Sequence, residues 1–383
     1  MNPDLILVAL SLVTWGIGEG MFLYFEPLYL QELGADPLLI GSILGGIGIV
    51  MAISYLPAGY ISDRFGRRPL LRIAWLLGLI ATTVMAWAPS LPLFVLGMSI
   101  YSFTTFVTVP LNSYVTHARG RYSVARAITL ISASFNVGVI IGPLIGGWIG
   151  DRFGLQRTFQ IAALIFVIST VIIFFIRSQP VEKHEMPNTY TLLQRLLTPS
   201  FIRYMALVFM IMFALYLPQP LSQNYLQNQH GLNLSQIGQL ISSRSLGLVI
   251  INLTLGQLSP TIGLLLAQLG MGIFSLLMWQ STGMPGFTAA YFLLGSYITA
   301  RNFAIAHGRT LLQSASMGIG YGLIETAAAS ATIVAAPVAG LLYKFQPVSI
   351  YSISLLLIAI SLFLSSLYFR LSSIRKKQRL ALE

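Results

Sequence analysis

Apolar residues fill this chain in blocks of about twenty, the length of helix that crosses a bilayer, with short polar breaks between them. Cutting at charge clusters and at Pro, Gly and Asn turns predicts twelve helices, over 5–30, 38–62, 70–88, 91–116, 125–149, 158–177, 201–228, 235–257, 260–280, 286–306, 315–342 and 347–370. The tightest junction is Gly256-Gln257-Leu258-Ser259-Pro260, between spans 8 and 9. The first block follows Met1-Asn2-Pro3-Asp4, which has no basic residue, and it outruns the apolar core of a secretory leader. It is expected to be a retained first span.

The longest polar interruption, 178–200, carries Glu182, Lys183, His184 and Glu185. It divides the chain into a first six-helix bundle, 1–177, and a second, 201–370, followed by a basic tail over 371–383. Within this linker, Leu192-Leu193-Gln194-Arg195-Leu196-Leu197 has the spacing of a short amphipathic surface helix; a plain tether reads equally well.

Composition turns this pattern into a class. Hydrophobic residues make up 56% of the 383 residues and charged residues 9%. A soluble domain carries about 25% charge, so the chain is expected to be an all-α membrane protein. With no cysteine, disulfides, thiolate metal sites and cysteine nucleophiles are excluded. The net charge of +11 does not point to nucleic acid, because the basic residues sort by loop. With twelve spans, seventeen of the 22 Lys and Arg fall on one side, and Arg152, Arg157 and Lys344 fall on the other. The positive-inside rule then puts both termini in the cytoplasm of a cell with the chain in its inner (plasma) membrane. The basic residues from Arg370 to Arg379 read as an anchor on anionic lipid.

An internal repeat adds an architecture. Gly59-Tyr60-Ile61-Ser62-Asp63-Arg64-Phe65-Gly66 closes span 2, and Gly147-Trp148-Ile149-Gly150-Asp151-Arg152-Phe153-Gly154 closes span 5. The two share Gly-aromatic-Ile-x-Asp-Arg-Phe-Gly, yet lie on opposite sides of the membrane. Related segments three helices apart with opposite orientation predict inverted three-helix repeats, which build transporters around a midplane site.

The loop after span 2, Gly59-x3-Asp63-Arg64-x-Gly66-Arg67-Arg68-x2-Leu71, resembles the signature loop of the major facilitator superfamily. Span 5 reads Gly138-x3-Gly142-Pro143-x2-Gly146-Gly147, which is similar to the antiporter motif of the drug:proton antiporter branch. The resemblance implies the major facilitator fold, two six-helix bundles rocking about a central cavity lined by spans 1, 4, 7 and 10. It also implies a gating role for Gly59, Asp63, Arg64, Gly66, Arg67, Arg68, Gly142 and Pro143. Small residues at these places also allow close helix packing. Two features depart from the pattern. The loop after span 8 lacks the charges of a second signature copy, and span 4 carries Thr104, Thr105, Thr108, Asn112 and Tyr114 but no arginine.

Apart from the arginines at the cytoplasmic ends of spans, five ionisable residues fall inside predicted spans: Glu19, Glu26, Arg244, Arg301 and Glu325. Placing a charge at the bilayer centre costs about 2.5–3.5 kcal/mol, so such residues are expected to face each other or a cavity. An ion-pair network holding the helices in register is one reading, strongest for Arg244, Arg301 and Glu325. A proton-coupling role is the other, for Glu19 first, then Glu26 and Glu325. Desolvation favours the neutral form of a carboxylate without a fixed partner, which can then exchange a proton near physiological pH. At helical spacing around these charges lie candidate substrate contacts: Trp15 and Phe22 with Glu19 and Glu26 on one face of span 1, Tyr216, Gln219 and Gln223 on span 7, Tyr297 before Arg301, and Tyr321 before Glu325. Asn112 on span 4 and Asn136 on span 5 complete the set, with Arg244 and Arg301 able to clamp an anion.

No phosphate loop, serine elbow or complete zinc motif occurs, so no cofactor or metal is expected, and no enzyme. The expected function is proton-coupled efflux of an amphipathic or drug-like small molecule by alternating access, by a monomer whose partners are substrate, protons and lipid. The alternatives are uptake or facilitated transport of a sugar or organic anion, and lipid translocation.

Overall fold

The structure is a computed structural model. It describes residues 2–179, 198–312 and 317–380. The linker's acidic cluster and its amphipathic segment lie outside the described residues. All regular structure among those described is helical. The first half comprises α1 (Pro3–Phe22), α2 (Glu26–Glu32), α3 (Pro37–Phe65), α4 (Arg67–Ala86), α5 (Leu91–Phe103), α6 (Thr108–Ala118), α7 (Val124–Phe153) and α8 (Leu155–Phe174). The second comprises α9 (Pro199–Tyr216), α10 (Ser222–His230), α11 (Leu234–Leu255), α12 (Pro260–Gln280), α13 (Met284–Leu294), α14 (Ser296–Gly308), α15 (Met317–Phe345) and α16 (Ser349–Leu380).

Ten of these helical stretches are long and apolar enough to cross a membrane, and eleven if the bent pair over 91–118 counts as one span. The tight junction breaks where its sequence demands. Gly256–Ser259 separates α11 from α12, with Ser259 accepting from the Ile262 N–H as N-cap and Pro260 opening the next helix. Gly66 and Gly154, the last residues of the two repeat copies, have φ of 82° and 84°, a region that glycine enters without strain. Each turns the chain from one helix directly into the next.

Four predicted spans are interrupted, the fourth of the twelve by a 3-10 turn over Thr104–Val107 between α5 and α6. In the first, a 3-10 turn over Leu23–Phe25 separates α1 from α2, because Pro27 has no N–H to donate to the carbonyl four residues back. In the seventh, Pro218 and Pro220 fall in the turn between Tyr216 and Ser222. In the tenth, Gly295 separates α13 from α14.

The chain forms two compact units, 1–185 with 223–245, and 186–222 with 246–383. The short helix α10 and the first half of α11 thus belong to the unit built by the first half of the chain. In the first unit, α1, α4 and α8 are tied by a buried polar knot. Trp75 Nε1 donates to Ser169 Oγ (2.9 Å), Ser169 Oγ to the Ser11 carbonyl (2.7 Å), and Ser11 Oγ to the Ser169 carbonyl (2.9 Å). Such bonds are well rewarded where no water competes.

The glycines of α7 pack against α1. A Cβ on Gly138 would lie 2.6 Å from the Ile17 nitrogen, one on Gly142 2.8 Å from Gly20 Cα, and one on Gly146 2.7 Å from Met21 Cα. The next glycine faces elsewhere: Gly147 meets the Leu234 carbonyl of α11, and Gly238 in turn meets the Pro143 carbonyl. One motif therefore joins α7 to two partners. In the second unit, Gln268 is buried between Ser361 and Ser365 of α16, accepting from the first (2.8 Å) and donating to the second (3.2 Å).

Replacing Gly138 with Val should force α1 from α7 and cost about 1–3 kcal/mol, the usual penalty of overpacking. Gly46→Ala, with nothing within 4 Å of its would-be Cβ, should leave stability unchanged. Thermal unfolding of the two purified variants checks the contrast.

Candidate functional site

Glu19 begins the last turn of α1. Its Oε2 accepts from Trp15 Nε1 at 2.9 Å and from Tyr101 Oη at 2.6 Å. Trp15 is one helical turn earlier, as the spacing predicts. Tyr101, on α5, was invisible in the sequence because it is 82 residues away. The expectation of a carboxylate without fixed partners is thus corrected. It has two, and both are neutral donors. No ion pair to Glu19 occurs among the described residues.

The rest of the expected helix 1 face changes as well. The 3-10 turn breaks the register between Phe22 and Glu26, so the four residues do not share a continuous face. Phe22 is fully buried, with the rings of Tyr101, Phe159 and Phe166 centred 5.1, 5.7 and 6.1 Å away. Its ring packs inside this aromatic cluster. Trp15 is also packed, against Trp75 and Phe166, and its N–H is its working part. Glu26 opens α2, is buried, and has no hydrogen-bond partner among the described residues.

Arg244 belongs to the same unit. Its guanidinium lies 5.1 Å from the centroid of the Tyr24 ring, inside the break between α1 and α2. A cation over an aromatic face keeps part of its stabilisation away from water. No carboxylate lies within ion-pair distance of Arg244 among the described residues. Nearby, Asn224 donates to the Pro27 carbonyl (3.0 Å) and to Gln31 Oε1 (2.8 Å), which also accepts from Asn228 (2.9 Å). Sequence reasoning missed this amide cluster, which joins α2 to α10.

In the second unit, Arg301 and Glu325 form an ion pair. Arg301 Nε donates to Glu325 Oε2 at 2.8 Å, and Nη2 donates to the same oxygen. The side chains remain 34% and 37% exposed, so this pair is not sealed into the core. Tyr297 is buried one turn before Arg301, with its ring 5.7 Å from that of Tyr216, and Tyr321 is half-buried one turn before Glu325. The predicted stripe on span 7 is not one helical face, because the proline-rich turn intervenes. Gln219 lies in the turn, buried, with its amide nitrogen on the Leu215 carbonyl (2.8 Å), and Gln223 is buried in α10. Asn136 donates back to the Ser132 carbonyl of its own helix (2.9 Å), and Asn112 is exposed on α6.

The expected four-charge network therefore resolves into parts. Arg301 and Glu325 pair, Arg244 rests on an aromatic ring, and Glu19 is held by neutral donors. Of the gate residues, Gly66 makes the turn into α4, and Arg67 Nη1 reaches Gln179 Oε1 at 3.3 Å. Gly142 and Pro143 sit in the α1–α7–α11 packing already described. Gly59, Asp63 and Arg64 fall in α3, and the side chains of Asp63 and Arg64 are not described.

Because a third of the pair is exposed, its coupling should be near about 1 kcal/mol rather than the larger figure of a sealed pair. A double-mutant cycle of Arg301→Gln and Glu325→Gln, read by thermal unfolding, should give that coupling, with the double variant more stable than the sum of the single losses implies.

Comparison with known proteins agrees with this architecture. An uncharacterized MFS-type transporter of Methanocaldococcus jannaschii is 22% identical over 291 residues, covering 72% of this chain and 73% of that protein. Multidrug resistance protein 2 of Bacillus subtilis is 23% identical over 283 residues, covering 71% and 70%. A crystal structure of a variant of the nucleoside transporter NupG superposes with a TM-score of 0.84 at 13% identity, covering 96% of this chain and 99% of that one. The sequence profile of the Major Facilitator Superfamily matches residues 8–315. The chain belongs to the major facilitator superfamily and is a multi-pass membrane transporter.

Proposed function

We propose that this transporter exports an amphipathic small molecule in exchange for protons, by alternating access between two six-span halves related by inverted three-helix repeats. The observation that carries the coupling is Glu19: a carboxylate inside an apolar helix, held by Trp15 and Tyr101, with no cation paired to it among the described residues. A fixed arginine would lock the charged form. Two neutral donors stabilise the carboxylate through charge-assisted hydrogen bonds, yet leave Oε1 to take a proton. The acid can thus exist in both states, as a coupling group must. Proton and substrate compete for it, and protonation releases the substrate.

In this reading, Glu26 is the second acid on the path. Tyr297, Tyr321 and the partly exposed Arg301–Glu325 pair contribute polar contacts from the second half. Asp63, Arg64, Arg67 and Arg68 latch the arginine-rich side, with both termini on that side in the cytoplasm. Efflux is favoured by the glycines of α7 and by the similarity to a protein named for multidrug resistance. Uptake of a sugar or organic anion is the second reading, favoured by Arg244, whose guanidinium has no carboxylate beside it among the described residues.

Proteoliposomes with an imposed pH gradient test the proposal. A lipophilic cation such as ethidium should move against its gradient when protons flow the other way. Glu19→Gln should lower this driven transport by about tenfold or more, as loss of a coupling acid–base group does, while reconstitution yield stays near normal. Unchanged driven transport in the variant would remove Glu19 from the mechanism.

A further inference from the structure

At the arginine-rich end of the first unit, a cleft of about 480 Å³ opens between the start of α4 and the end of α8. Arg67, Arg68 and Arg72 line it, and no acidic residue is among the described residues of its wall. The three guanidiniums are only partly answered. Arg67 reaches Gln179 at 3.3 Å. Arg72 donates to the Phe174 carbonyl and stands 5.0 Å from the Phe174 ring. Arg68 Nε and Arg72 Nε are shielded from solvent and have no hydrogen-bond partner among the described residues. A buried N–H without an acceptor is costly, and both belong to arginines that line a cleft with three positive charges.

The same cleft has an apolar edge. Ile73, Leu76 and Phe174 line it and are 50%, 40% and 37% exposed. Leu76 lies one helical turn beyond Arg72, on the same face of α4 and on the side of the membrane interior. The wall therefore passes from guanidinium to aliphatic surface over one turn, as a phospholipid passes from phosphate to acyl chain.

We propose that this cleft binds an anionic phospholipid of the adjoining leaflet, with its phosphate on Arg68 and Arg72 and one acyl chain along Ile73, Leu76 and Phe174. A phosphodiester supplies acceptors in the geometry that a guanidinium fork prefers. Basic clefts between helices at a membrane face suit such headgroups. A free phosphate would leave the apolar edge unused, and a zwitterionic lipid would bring a second cation to an already positive wall. The site is independent of the transport reading. It does adjoin the loop between α3 and α4, so an occupied cleft would hold Arg68 in place.

The full-length protein, stripped of lipid in detergent, is the material for the test. Phosphatidylglycerol should raise its thermal midpoint saturably, and native mass spectrometry should retain one such lipid. Phosphatidylcholine, inorganic phosphate and glycerol 3-phosphate should do neither at matched ionic strength. Arg72→Gln should weaken the phosphatidylglycerol response by about tenfold, the loss of one charge-assisted contact, and Arg72→Lys by less. Gln179→Glu, which places an acid in the wall, should weaken it without touching an arginine. Arg126→Gln, an exposed arginine outside the cleft, should leave it unchanged. Equal stabilisation by phosphatidylcholine, or by the soluble phosphates, would overturn the proposal. So would a phosphatidylglycerol response that survives both Arg72→Gln and Gln179→Glu.

Discussion

A charge carried into hydrocarbon must be met by something, and that constraint organises this molecule. Each misplaced charge costs about 2.5–3.5 kcal/mol on insertion scales, a large share of the net stability of an ordinary fold. The chain meets its intramembrane charges in three ways. Arg301 and Glu325 neutralise each other at a partly exposed site. Arg244 rests on the face of Tyr24. Glu19 receives two hydrogen bonds from neutral donors. Of the two carboxylates without a fixed cation among the described residues, Glu19 and the buried Glu26, only Glu19 is held in place by neutral donors, and this is why the proton-coupling role is assigned there first.

Helix packing makes these solutions possible. Tyr101 reaches Glu19 because α5 and α1 share one aromatic core with Trp15, Trp75 and Phe166. Glycines bring α1 and α7 into backbone contact along three turns. In lipid, such close approach substitutes for the hydrophobic drive that packs soluble cores. The glycine motif of α7 therefore has a structural meaning in this chain before any mechanistic one. Its glycines seat α7 on α1, and the last of them, Gly147, adds α11.

Much of this was legible in the sequence. Apolar blocks gave most spans, Ser259-Pro260 fell at the tight junction where a helix starts, and the repeat placed helix ends at Gly66 and Gly154, though not their positive φ. The ion pair between Arg301 and Glu325 was one of the readings the intramembrane charges allowed. The missing parts share a cause. Phe22 has the spacing of a site residue, but burial depends on what α5 and α8 place around it. The break after Phe22 follows from Pro27, yet whether a proline kinks, breaks or merely ends a helix is decided by tertiary neighbours. Tyr101, Tyr24 and Gln31 act through contacts across the fold, which no periodicity along one helix reveals.

The account rests on Glu19 bordering water rather than acyl chains, and the absence of cysteine in the chain allows a clean measurement. Single cysteines at Glu19 and at Leu10, an outward-facing residue that is 52% exposed on the same helix, can be offered a membrane-impermeant maleimide in proteoliposomes. A thiol reacts fast only where water reaches it as thiolate. The account predicts labelling at position 19 faster than at position 10 by about tenfold or more. Equal, negligible labelling at both positions would contradict it.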